Sequence, residues 1–287
     1  MPSSEDSIDV VCVDDNASLA DLTATFLERH DDVFDARAET DAKAVLERLE
    51  GGGGGSKTAE SPRETEDETG SEQSPIDCIV SDYDMPDIDG IEFLEAVRTF
   101  DSDIPFILFT GKGSEEIASE AISADVTDYL QKQASTDQYL VLANRVRNAV
   151  ESYRAQRALE DSELLFDAIF EDPTTLIGVL EPDGTLTNAN RTALEFVGAT
   201  RSELQGEPFW ELPWWNHSEE LQANVWEWIR RAADGEYVEY EGSHYDVDDE
   251  RVVISGTIRP VTRGDDVVAL IAEGRPNDAE GRDRIRL

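Results

Sequence analysis

The chain has 287 residues, enough for roughly two domains of ordinary size, each with its own core. Its 65 acidic residues against 24 basic ones leave a formal charge of −41, which repels nucleic acid phosphates and anionic membranes and speaks against either as a partner. Lysine is scarce (Lys43, Lys57, Lys112 and Lys132) and the acids run through the whole length, a pattern that fits a salt-rich cytoplasm in which a Debye length of about 3 Å at 1 M screens the self-repulsion.

The opening MPSSEDSIDV has neither a basic nor an apolar stretch, so no secretion signal is expected. No apolar run approaches the ~20 residues of a membrane helix, and the protein is expected to be soluble and cytoplasmic. Short apolar runs at 8–13, 33–38, 76–80, 104–109 and 127–130 alternate with helical periodicity at 18–29, 41–49, 91–100, 115–123 and 137–150. Continuous apolar strands followed by helices predict a doubly wound α/β domain over 6–150, with a five-stranded parallel sheet whose working edge lies at the strands' carboxyl ends. Cys12 and Cys78 fall inside the first and third runs and read as small core residues.

Residues 51–74 hold no aromatic or large aliphatic side chain and cannot offset their ordering entropy, so they are expected to be a disordered insertion at the amino ends of the strands. Residues 151–170 continue the helical pattern with dense charge, a linker stopped at Asp172-Pro173. Over 171–275 the order becomes strand, turn, strand, short helices, a longer helix near 219–233, and three strands near 237–245, 252–260 and 267–273. That order predicts an α+β domain with an antiparallel sheet, followed by a tail over 276–287.

The chemistry sits at strand ends. VVCVDD places Asp14 and Asp15 past the first strand, DCIVSD places Asp82 past the third, FILFT ends the fourth at Thr110, and DYLQK puts Lys132 after the fifth. Each has an ordinary structural explanation, since an aspartate or threonine at a strand end commonly caps the following helix. Together, carboxylates, a hydroxyl and an ammonium converging on one sheet edge suit a Mg²⁺-assisted attack by Asp82 on an electrophilic phosphorus.

These segments, VVCVDDN, IVSDYDMPDIDG, FILFTGKG and DYLQK, resemble a response-regulator receiver domain, and the D-x-x-MP-x-x-DG run is the most specific of them. The resemblance implies that Asp82 is the phosphoacceptor and that Asp14 and Asp15 are the acidic pair for Mg²⁺, with the Asp84 carbonyl as a further ligand. It implies that Thr110 is the switch hydroxyl, Tyr129 the aromatic that moves with it, and Lys132 the contact to the phosphoryl group. Gln133 stands where the family usually has proline, so the Lys132 loop is expected to be looser. Asp84 and Lys112, each two residues past a key group, are expected to pair across the water entrance and tune the phosphoryl lifetime.

Residues 160–275, with LIGVLEPDGTLTNANRTALEFVGATRSELQGEPFWELPWW and IRPVTRGDDVVALIAEGR, resemble a PAS sensory domain. Such a sheet encloses a ligand, flavin or haem, or only mediates dimerisation. This half has no cysteine, which removes a LOV-type flavin adduct and a thioester-linked chromophore; haem would call on His217 or His244. The aromatics Phe209, Trp210, Trp214, Trp215, Trp226 and Trp228 read as core or interface first and pocket lining second. The ligand stays open, including none at all.

The expected protein is therefore a response regulator from a halophilic, haloarchaeal two-component system. A histidine kinase would phosphorylate Asp82, the PAS domain would receive the state, and a homodimer would form through the PAS domain and the linker helix. It is not expected to be an enzyme, because no ATP-binding domain follows; NHSEEL around His217 only superficially resembles a histidine box. The alternative is a fragment or partner subunit of a hybrid PAS histidine kinase. A DNA-binding regulator is disfavoured by charge and by the lack of an unassigned basic helix-turn-helix.

Overall fold

The computed structural model describes residues 7–52, 76–111, 115–133, 135–245 and 250–277. By its contacts the chain divides into two compact units, Met1–Glu160 and Asp161–Leu287.

In the first unit β1 (Ile8–Val13), β2 (Phe34–Glu39), β3 (Cys78–Ser81), β4 (Phe106–Thr110) and β5 (Asp128–Gln131) pair in parallel in the order β2-β1-β3-β4-β5. The central strands β1, β3 and β4 are buried along their whole length, which is why they read as predominantly apolar runs. Alternate residues face opposite cores. Val10, Cys12, Val80, Ile107 and Phe109 pack with α1 (Ala17–His30) and the first part of α5 (Asp137–Phe170). Val11, Val13, Ile79, Phe106 and Leu108 pack with α2 (Ala42–Gly52), α3 (Gly90–Arg98) and α4 (Glu115–Ser123).

β3 begins at Cys78 and not at Ile76, because Asp77 is taken up in capping β1: its Oδ2 accepts from the Asp9 N–H at 2.9 Å. Gly51 and Gly52 close α2, so the insertion predicted over 51–74 does not begin at 51; its remainder, residues 53–74, lies outside the described residues. Both cysteines are buried, and burial pushes the Cys12 thiol up to about 12, so it stays protonated and inert.

Residues 151–170, read as a helical linker that continues the preceding helix, form the second half of α5, inside which the boundary between the units falls. Within the first unit its face is tied down by Arg154 to Asp77 (2.7 Å), and by Tyr153 and Arg157 to Asp101 (2.7 and 2.6 Å).

In the second unit β6 (Leu176–Leu180), β7 (Leu186–Ala189), β8 (Val238–Tyr245), β9 (Arg251–Arg263) and β10 (Asp266–Pro276) form an antiparallel sheet in the order β7-β6-β10-β9-β8. Its core gathers Leu180, Ile258, Leu270 and Trp215 with residues of α6 (Arg191–Val197), α7 (Arg201–Leu204) and α8 (Glu219–Ala233). Asn190 organises the entry to this unit. Fully buried, it accepts from Ile177 N–H and Ala193 N–H (3.0 and 2.9 Å) and donates to the carbonyls of Phe170 and Thr175 (2.9 and 2.8 Å). One side chain thereby satisfies the start of α6, the end of α5 and the edge of β6.

Candidate functional site

The backbone sets the site before any side chain does. The Asp14 N–H donates to Glu39 O (3.1 Å), the Asp82 N–H to Val13 O (2.8 Å) and the Lys132 N–H to Thr110 O (2.7 Å), so the parallel ladder carries on just past the strand ends. Asp14, Asp82, Thr110 and Lys132 are thereby lined up along one edge of one sheet.

The side chains of Asp14, Asp82 and Lys132 meet in a small recess floored by Val13, Val80 and Phe109. Lys132 Nζ lies 2.6 Å from Asp14 Oδ2 and 2.6 Å from Asp82 Oδ1, bridging the two carboxylates. The Asp84 N–H donates to Asp82 Oδ2 (2.7 Å), and the Asn16 N–H donates to Asp14 Oδ1 (2.9 Å). Asp14, Asp82 and Thr110 are buried, while Lys132 is half-buried. Burial alone would lower the lysine pKa, but the hydrogen bonds to Asp14 and Asp82 outweigh it and raise it above the ordinary value. The ammonium is therefore a permanent charge at neutral pH.

Gly90, first residue of α3, fixes the position of Asp82 from behind. A Cβ there would stand 2.5 Å from the Asp82 carbonyl oxygen and 2.9 Å from Tyr83 Cα, so only glycine allows the helix to start this close to the loop. The neighbouring Asp89 caps the helix and forms a reciprocal capping box with Glu92. The DG of the motif is thus a close-approach signal and a helix start in one.

Of the other candidates, Asp15 is exposed at the same edge. Tyr129 is half-buried, and its Oη meets no hydrogen-bond partner among the described residues. Lys112 lies outside the described residues, and with it the expected pair to Asp84. At Gln133, where a looser loop is expected, the Gln133 N–H donates to Gln138 Oε1 (2.5 Å) and Gln138 Nε2 donates back to Gln133 O (2.7 Å), a two-way clasp onto α5. Nothing in single-residue propensity points to that clasp; only the five-residue spacing of two glutamines hints at it.

The donors present suit a hard cation. Among the described residues no three His, Cys, Asp or Glu side chains cluster as a metal cage. Mg²⁺ does not need one, since it keeps several waters and takes one or two carboxylates. Asp14, Asp15, Asp82 and the Asp84 carbonyl supply only oxygen, which fits.

In the second unit Phe209, Trp214 and Trp215 are core residues, Trp210 and Trp228 pack against that core, and Trp226 is half exposed. His217 is exposed, whereas His244 is buried on β8, a position its polar neighbours do not betray.

Residues 10–144 match the family model of the response regulator receiver domain, and residues 170–276 match that of the PAS fold. The chain is similar to hybrid signal transduction histidine kinase D of Dictyostelium discoideum, 30% identical over 44% of this chain and 8% of that protein. It is also similar to sensor histidine kinase TmoS of Ectopseudomonas mendocina, 31% identical over 40% of this chain and 12% of that protein. The chain thus spans only about a tenth of these two relatives' length. Among solved structures it is similar to the PAS domain of an HTR-like protein from Haloarcula marismortui, at 21% identity and a TM-score of 0.34, over 43% of this chain and 98% of that one.

Proposed function

We propose that this chain, a response regulator receiver domain followed by a PAS fold, is a phosphoacceptor of a two-component system that takes its phosphoryl group on Asp82. The observation that carries this reading is the Lys132 ammonium held 2.6 Å from both Asp14 and Asp82 at the carboxyl edge of the sheet. Such a charge stabilises the oxygens of a transferring phosphoryl group.

A carboxylate oxygen of Asp82 forms the new bond to phosphorus while the bond from phosphorus to the donor, a kinase phosphohistidine, breaks and its electron pair stays on the donor. Asp84 N–H holds the second Asp82 oxygen and so orients the first. Lys132 follows the charge from the carboxylate to the phosphoryl oxygens, and Thr110 offers its hydroxyl to them. Asp14, Asp15, Asp82 and the Asp84 carbonyl would hold Mg²⁺, which supplies charge neutralisation. Engagement of Thr110 draws on the space around Tyr129, whose unpartnered Oη leaves its rotamer free to respond. The PAS fold receives the altered state through α5, and no catalytic step is assigned to it.

The partner upstream is a histidine kinase. The charge of −41 supports protein over nucleic acid partners and a high-salt setting. Exposed Leu164, Leu165, Phe166 and Ile169 on α5 support self-association through this helix and the PAS fold, which sedimentation at several concentrations tests. A second reading, a fragment or partner subunit of a hybrid PAS histidine kinase, is favoured by the much longer kinases among the relatives.

The direct test is incubation with a small phosphodonor and Mg²⁺ in high salt, followed by intact-mass analysis. Wild type gains one phosphoryl mass and Asp82→Asn gains none; labelling of the variant at the same stoichiometry would sink the assignment.

A further inference from the structure

β5 is an edge strand whose chain runs on into Lys132 and Gln133. The Lys132 N–H donates to Thr110 O of β4 (2.7 Å), which carries the ladder past the strand's end on that side. On the far side no strand lies among the described residues, and such an edge leaves backbone N–H and C=O groups without a ladder partner. Gln138, in the first turn of α5, stands in for the missing strand. Its Oε1 accepts from the Gln133 N–H (2.5 Å) and its Nε2 donates to the Gln133 carbonyl (2.7 Å). A primary carboxamide carries an acceptor and a donor side by side, so one side chain pairs both backbone groups of one residue.

The other end of Lys132 is also held. Its Nζ lies 2.6 Å from both Asp14 and Asp82 and 5.5 Å from the centre of the Phe109 ring, within reach of a cation–π attraction. Phe109 is buried and braced by Tyr139, edge to face at 5.7 Å and 74°. Tyr139 in turn stacks on Phe26 of α1 (4.4 Å, 4°). Gln138 and Tyr139 are consecutive, so one turn of one helix supports both the backbone after the lysine and the ring beside its ammonium. That helix is fixed to the sheet by the buried Leu142 and Val146 and by Arg145 to Asp128 of β5 (2.9 Å). A side chain mounted on a packed helix places its partner more precisely than one on a loop.

We propose that Gln138 is a positioning residue for Lys132: by pairing both backbone groups of Gln133 it fixes the root of the lysine and keeps the ammonium between Asp14 and Asp82. Its part in phosphoryl transfer rests on the reading of Asp82 as the phosphoacceptor; its hold on Lys132 does not. Gln133 is exposed, so water replaces the carboxamide when it is removed, and the clasp contributes order to the loop more than stability. The clasp engages only the backbone of Gln133, whose own side chain takes no part in it.

The test follows Lys132 by nuclear magnetic resonance in the full chain labelled with carbon-13 at the lysine Cε. There are only four lysines, and Lys132→Arg identifies the relevant signal. Spectra are taken in high salt without Mg²⁺ or phosphodonor. An immobilised ammonium beside an aromatic ring gives its two Cε protons separate resonances, whereas a freely rotating one averages them. The expected result is separate resonances in wild type and Gln133→Ala, a single averaged resonance in Gln138→Ala, and similar urea midpoints for all three. With a small phosphodonor and Mg²⁺, the initial rate of phosphoryl incorporation in Gln138→Ala should fall about tenfold, part of the roughly 100-fold that misplacement of a reacting group can cost. Averaged Lys132 protons in wild type, separate ones in Gln138→Ala, averaging in Gln133→Ala, or a wild-type rate in Gln138→Ala would each overturn the proposal. A large fall in the Gln138→Ala midpoint would overturn it too, by making the residue structural. A wild type that gains no phosphoryl mass would count against the reading of Asp82 instead, and the resonance comparison would still decide the role of Gln138.

Discussion

Gly90→Ala is the most informative single change at the proposed phosphoacceptor site, because it moves Asp82 without touching its chemistry. The new Cβ would meet the Asp82 carbonyl oxygen at 2.5 Å, Leu108 Cδ2 at 2.7 Å and Tyr83 Cα at 2.9 Å, whereas ordinary contact begins at 3.4 Å. The leucine methyl can swing aside, but the two backbone atoms cannot. Relief therefore requires the Asp82 loop or the start of α3 to shift by close to 1 Å. Overpacking of this kind destabilises by about 1–3 kcal/mol. A misplacement of about 1 Å at a reacting group can lower a rate by about 100-fold. We expect the initial rate of phosphoryl incorporation, followed by intact mass at saturating Mg²⁺, to fall between about 10- and 100-fold. Urea unfolding at the same salt concentration separates the rate effect from loss of fold. Gly51→Ala, with nothing within 4 Å of the added methyl, is the control and should leave the rate unchanged. A Gly90→Ala protein with wild-type rate and wild-type stability would refute the close-approach reasoning.

Other expectations follow from the same geometry. Asn190→Ala strands two buried N–H groups and two carbonyls, and at about 1–3 kcal/mol for each unsatisfied group, with partial relaxation, should destabilise the second unit by about 3–5 kcal/mol. Calorimetry should show that unit's transition lowered while the other is retained. His244 has a folded pKa of about 4 against an ordinary 6.5, so the native state resists a proton that the unfolded chain takes. Its contribution is intact above pH 6.5 and is lost as pH falls towards 4, by about 3 kcal/mol. Denaturant midpoints across that window should therefore fall more steeply in wild type than in His244→Leu, and parallel curves would contradict the assignment. Asp84→Asn, Lys112→Ala and the double variant should alter dephosphorylation non-additively if the two side chains act together; strict additivity speaks against the pair.

Much of the receiver was readable one residue at a time. β1, β3 and β4 are covered on both faces, so their residues are mostly apolar, and the polar residues at their carboxyl ends mark where each apolar run stops. Because parallel strands share one direction, those end residues must share one edge, which is how Asp14, Asp82, Thr110 and Lys132 could be grouped without coordinates. The local sequence also carried the turn and cap at Asp89-Gly90. It did not carry the reason for that glycine, which is the Asp82 carbonyl pressed against it. Nor did it carry the Gln133–Gln138 clasp, which depends on where α5 starts relative to the end of β5.

The second unit divides the same way. Strand, helix and turn order were legible from apolar periodicity, including α8 at its observed bounds. The burial of His244 was not, because β8 alternates faces and its neighbours Ser243 and Tyr245 are more exposed. That the buried Trp215 Nε1 and His244 Nε2 lack partners among the described residues likewise depends on how a loop and a strand pack together. Sequence by itself determined which residue types stand at which strand ends, because that depends on local periodicity and chain direction. Tertiary structure alone decided which polar atoms find partners and which do not, because hydrogen bonding in a buried site depends on distances between segments far apart in the chain.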